Sequence, residues 1–140
     1  MSNFYFKSDL FDIEPGEDDE INPGMYGRQL ANWLKSRLEQ TGYEVEPVIA
    51  EDWGRCIMVS RAPFKLWVGC GNMIEDISVK ESDPLPTKDN IVWLCFVEAE
   101  VPLLNRLFSK PDTTPALNKL QADLASILSS EPRITLVEEP

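Results

Sequence analysis

The chain contains no histidine, which limits its chemistry before any motif is sought. No Ser-His-Asp or Cys-His couple, no HExxH helix and no imidazole-ligated zinc site can be built, and the commonest general base near neutral pH is missing. Catalysis would have to rest on carboxylates, Cys, Lys or Tyr. Cys70, within Gly69-Cys70-Gly71-Asn72, is the sharpest candidate nucleophile, because the flanking glycines would let backbone N–H groups approach an oxyanion at a strand end. No base accompanies it. The plainer reading is a packed thiol at the end of a strand, followed by a Gly-Asn turn. Nor is Gly69-x-Gly71 a dinucleotide fingerprint, which needs a third Gly and a helix behind it.

Glu98 and Glu100, two apart on an extended segment, point to the same side and could hold Mg²⁺ or share a proton. A solvated strand end is the alternative, and the sequence leaves the two open. Glu51-Asp52, ahead of Trp53-Gly54, reads as a turn carrying an aromatic plug, since no third ligand aligns with it. The run Glu17 to Glu20 lacks the alternating ligands and central Gly of a calcium loop. No catalytic residue, metal ligand or cofactor is assigned on these patterns.

Two other features suit recognition. Asp9, Asp12, Glu14, Glu17, Asp18, Asp19 and Glu20, offset by Lys7, carry −6 of the net charge of −11 before residue 22. This acidic loop, over about 9–21, has almost no apolar residue to bury and is predicted to be solvated and of little weight in folding. Trp67 alternates with Lys65 and Gly69 against Phe64, Leu66, Val68 and Cys70, which puts it on the face opposite the best buried set. An exposed Trp is a common interface anchor. Cover by the N-terminal segment or by a long loop is the competing expectation. Trp33 and Trp93 are both expected in the core.

The elements that must position these residues can be read from the periodicity. Phe4-Tyr5-Phe6 reads as an initial strand. Asn22-Pro23 marks a helix start, Tyr26, Leu30, Leu34 and Leu38 recur every four residues, and Gly42 closes the last turn, predicting a helix over 23–41. Strands are expected over Glu44 to Ile49, Cys56 to Ser60 and Phe64 to Cys70, the last two as an antiparallel hairpin. Residues 73–89 form a long loop, with an edge strand at Ile77-Ser78-Val79. The unbroken run Ile91 to Val97 is expected to be a central strand covered on both faces. A short helix follows Pro102 through Leu103, Leu104 and Leu107. A longer one begins at Thr114-Pro115 on the stripe Leu117, Leu120, Leu124, Ile127 and Leu128, and Ile134, Leu136 and Val137 add a last strand.

This order predicts a single α+β domain over 1–140, with an antiparallel or mixed sheet of five to six strands and two main helices on one face. The apolar fraction of 43% argues against disorder of the whole chain. No stretch is apolar enough to cross a bilayer, no secretion signal is visible, and Cys56, Cys70 and Cys95 suit a reducing compartment, so a cytoplasmic protein is expected. With 13 basic against 24 acidic residues, direct binding to nucleic acid or an anionic membrane is disfavoured and a basic partner is favoured.

The block Glu51-Asp52-Trp53-Gly54, Met58-Val59 and Pro63-Phe64-x-Leu66-Trp67-Val68-Gly69-Cys70-Gly71-Asn72 resembles that of a set of small bacterial proteins without assigned function, over the middle of the chain, and transfers no activity. The expectation is therefore a non-catalytic protein-binding module, an acidic inhibitor or immunity-type protein blocking a basic site on a toxin or a nucleic-acid-handling enzyme. Its partner-binding residues would be Asp12, Glu14, Glu17, Asp18, Asp19, Glu20 and Trp67. An adaptor homodimer joined through the Trp67 face and a carboxylate-dependent enzyme are the alternatives.

Overall fold

The computed structural model describes residues 3–73, 87–103 and 110–140. Along them run strands β1 (Phe4–Ser8), β2 (Ile49–Glu51), β3 (Gly54–Ser60), β4 (Lys65–Asn72), β5 (Trp93–Glu100) and β6 (Ile134–Val137), with helices α1 (Arg28–Gln40) and α2 (Thr114–Ser129). The six strands form one antiparallel sheet in the order β2-β3-β4-β5-β1-β6. The fold is α+β, with both helices on one face.

Strand alternation decides which residues meet the helices. Residues directly opposite across an antiparallel pair share a face, so the pairs Arg55↔Cys70, Ile57↔Val68, Cys70↔Cys95, Val68↔Val97 and Phe6↔Trp93 trace a single inner surface. Helix α1 lays Leu30, Ala31, Leu34 and Leu38 over β3 and β4, and α2 lays Leu120, Leu124, Ile127 and Leu128 over β5 and β6. These side chains join the inner strand residues in one buried cluster, with Phe11 set edge-on to both Trp33 and Trp93. Trp93 is buried as expected, whereas Trp33 is only partly so and has the Arg37 guanidinium 5.3 Å from its ring centre.

Three expectations change. Helix α1 starts at Arg28, five residues past Pro23, because Gly24 and Gly27 take positive φ values of 85° and 127°. The amide of Asn72 holds this non-helical stretch open, donating to Gly24 O at 2.9 Å and accepting from Tyr26 N at 2.7 Å. At its other end α1 closes as expected: Tyr43 N reaches Leu38 O and Gly42 N reaches Glu39 O, both at 3.1 Å, with Gly42 at φ 105°.

Secondly, residues 44–48 are not a strand. A single bond from Glu46 N to Met58 O ties them to β3, and pairing begins only at Ile49. Thirdly, β5 is not buried equally on both faces: Trp93, Cys95 and Val97 are buried, while the alternating Leu94, Phe96 and Glu98 are half-buried. The expected strand at 77–79 lies outside the described residues, as does nearly all of the expected short helix after Pro102, of which Leu103 alone is described.

Candidate functional site

The sheet face away from the helices carries an aromatic cluster, built by register. Trp67 stands on this outer face of β4, and Phe96 stands opposite Gly69 on β5. An ideal Cβ on Gly69 would lie 2.3 Å from the Phe96 ring, so the missing side chain is what lets Phe96 lie across β4. Trp53 comes from the two-residue turn between β2 and β3 and folds onto the same place. The three rings are mutually packed: Trp53 to Trp67 at 5.4 Å with planes 31° apart, Trp53 to Phe96 at 5.5 Å, and Trp67 to Phe96 at 5.8 Å. Cys56 and Met58 are buried beside them yet stand outside the main core cluster, and Ile49 is exposed at the edge.

Trp53 retains 40% of its surface, and Trp67 and Phe96 are half-buried. Trp67 is therefore covered in part by Trp53 and Phe96; nearly all of the long loop that competed as its cover lies outside the described residues. Carboxylates rim the cluster. Glu98 stands directly opposite Trp67, Glu100 lies two residues farther on the same face, and Glu51 and Asp52 precede Trp53. Among the described residues none of these four side chains has a hydrogen-bond or ion-pair partner, and Lys65, opposite Glu100, is likewise unpaired.

The acidic segment is a different object from the solvated loop expected. Glu17 is fully buried. Its Oε1 accepts from Gly27 N at 2.7 Å and Arg28 N at 3.0 Å, capping α1, and its Oε2 accepts from Glu14 N at 2.7 Å. The positive end of the helix and its unpaired N–H groups give a buried carboxylate what it needs. Around it, Glu14 and Glu20 both pair with Arg28, Glu20 also reaches the buried Arg55 at 3.3 Å, Asp18 accepts from Gly24 N at 2.9 Å, and Asp12 pairs with Lys88. The hydrogen bond from Arg28 lowers the Glu14 pKa, and burial lowers that of Arg55.

Glu17 is thus corrected from a partner-binding to a structural residue, and the segment is a strap. Of the six acidic residues singled out from sequence, Asp19 alone meets no partner among the described residues. The strap ends where Asn22 donates to Asp52 O at 3.3 Å, so it abuts the turn that carries Trp53.

The thiols do not suit nucleophilic chemistry. Cys56, Cys70 and Cys95 are free and buried; burial pushes Cys56 up to about 11 and Cys70 up to about 12, and Cys95 well above its ordinary value. Glu98 and Glu100 do share a side, but no group of three or more possible metal ligands gathers among the described residues. Tyr43, Lys119 and Asp123 form a contact between the end of α1 and α2, with Tyr43 donating to Asp123 at 2.5 Å and its pKa raised by burial and by that bond. A concavity of about 420 Å³ lined by Lys7, Lys88 and Arg133 faces Asp9, which takes up the Arg133 guanidinium, while Lys88 pairs with Asp12.

Trp67 was legible as an outer-face residue; Phe96 and Trp53 were missed as its partners. The signal for Phe96 lay in a glycine at strand alternation from Trp67, a gap that a ring from the next strand fills. Among the described residues no helix is long and apolar enough to cross a membrane. Compared with protein-family models, curated proteins and solved structures, the chain matches none.

Proposed function

We propose that this chain is a non-catalytic protein-binding module that docks a basic partner on the outer face of its sheet, in the manner of an acidic inhibitor or immunity-type protein. The observation that carries the reading is the cluster Trp53, Trp67 and Phe96 on the sheet face opposite α1 and α2, rimmed by four carboxylates that are unpaired among the described residues. Aromatic rings half out of water supply anchoring energy, and carboxylates around them favour encounter with a positive surface. The exposed carboxylates of the strap, at the same end as Trp53, add to that long-range field. A basic site on a toxin or a nucleic-acid-handling enzyme is the partner chemistry that fits. An adaptor homodimer is less well supported, because two copies meeting face to face would oppose like-charged rims.

The test is affinity capture from the native cell with the wild-type chain and with Trp53→Ala, alongside melting temperatures of both. The expected result is a stoichiometric basic protein retained by the wild type and lost, or weakened about tenfold or more, in the variant. Trp53 stands in a turn with 40% of its surface exposed, so melting should fall by only a few degrees. Equal capture by both forms removes the sheet face from the reading.

A further inference from the structure

We infer that the outer face is built to take an arginine side chain of the partner, its guanidinium stacking on the exposed ring of Trp53 and donating to the rim carboxylates. This rests on the protein-binding reading above and goes beyond it in naming the group recognised. Three observations converge. The Trp53 and Trp67 ring centres are 5.4 Å apart with planes 31° apart, and Trp53, packed on Trp67, keeps 40% of its surface exposed, so its ring offers a π face to a ligand. Their packing against each other and against Phe96 leaves no slot between rings, and a ligand group must lie on top. Glu98 stands opposite Trp67, and the rim carboxylates are unpaired among the described residues, whereas the strap carboxylates at Glu14, Glu17, Asp18 and Glu20 already have partners.

A planar, weakly hydrated guanidinium meets both demands at once. It stacks on aromatic faces and donates in its own plane to carboxylates around the edge. An ammonium is a compact, strongly hydrated point charge that serves the carboxylates but stacks less well. The chain uses the same pairing internally, where the Arg37 guanidinium lies 5.3 Å from the Trp33 ring centre. A second copy is the weaker occupant, since among the described residues Lys65 is the one unpaired cation on this face, set against Glu51, Asp52, Glu98 and Glu100, while Arg61 pairs with Glu46.

The experiment titrates the full chain with two peptides of equal length and charge, hexa-arginine and hexa-lysine, by calorimetry at about 0.15 M salt. Because a chain of net charge −11 attracts any polycation, the readout is the ratio of the two affinities and its loss on substitution. Hexa-arginine is expected to bind about tenfold tighter. Trp53→Ala should abolish that preference, Trp53→Phe should restore part of it, and Glu98→Gln with Glu100→Gln should weaken both peptides. A ratio near one, with both peptides still weakened by the Glu98 and Glu100 changes, overturns the arginine inference and leaves the face as a docking site for a basic partner. An arginine preference indifferent to Trp53→Ala and to Glu98→Gln places the binding elsewhere and overturns it too, as does failure of hexa-arginine to bind. Capture of a partner that depends on Trp53 tests the parent reading separately.

Discussion

At the scale of the residue, Glu17 separates charge as composition from charge as structure. From sequence it is one of seven acidic side chains in a short stretch; in the fold it has no exposed surface and serves as the acceptor for two backbone donors at the start of α1. Glu17→Ala leaves those donors buried and removes the charge beside Arg55, and is expected to cost roughly 2–4 kcal/mol in urea unfolding. Asp19→Asn, on an exposed and unpartnered neighbour, should stay within about 0.5 kcal/mol. Equal effects would mean that the cap does not form.

The three thiols make a prediction in pH. Their folded values are raised, to about 11 for Cys56 and about 12 for Cys70, from an ordinary 9.0, so the folded state favours the protonated form. That contribution is complete below pH 9 and is lost as pH rises through the folded values, so unfolding free energy should fall between about pH 9 and 12. Replacing Cys56, Cys70 and Cys95 together by Ala should flatten this loss when urea curves are compared across the window; an unchanged slope would exclude the thiols as its source.

At the scale of the element, legibility followed how locally each structure is determined. The α1 terminus at Gly42, the start of α2 at Thr114-Pro115, and the β3–β4 hairpin depend on residues close in sequence, and all could be read. The α1 start depends on Glu17 and on Asn72, up to 48 residues away, and no local pattern announces either. The run Ile91 to Val97 misled for another reason. Continuous hydrophobicity signals full burial on both faces only when something covers the second face, and here, among the described residues, the outer half meets aromatic side chains and stays half-buried.

Gly69 is the residue that permits this arrangement. Gly69→Val would drive a branched side chain into the Phe96 ring and is expected to destabilise the domain by about 1–3 kcal/mol, with loss of near-UV aromatic ellipticity. Retention of that signal would show that Phe96 can rest elsewhere.

At the scale of the whole molecule, the charge of −11 is unevenly committed. Arg28, Arg55 and Lys88 are drawn into the strap, where they neutralise Glu14, Glu20 and Asp12, while Glu51, Asp52, Glu98 and Glu100 around the aromatic cluster stay unpaired among the described residues. Long-range attraction depends on charge that is not locally cancelled, so the rim should steer a basic partner more than the strap does. Substituting the strap run Glu17 to Glu20 would be a poor test, since it would remove the α1 cap together with the charge.

The cleaner comparison sets Glu51→Gln, Asp52→Asn, Glu98→Gln and Glu100→Gln, combined, against Asp19→Asn alone. Stopped-flow mixing with a labelled arginine-rich peptide at two ionic strengths should show association slowed by about tenfold for the rim variant at low salt, with a shallower salt dependence, and little change for Asp19→Asn. Exposed carboxylates contribute little to folding, so the rim variant should melt close to the wild type or slightly above it as self-repulsion falls. If both variants keep the wild-type association rate and salt slope, attraction comes from the summed field of the chain, and the rim carboxylates act only after contact is made.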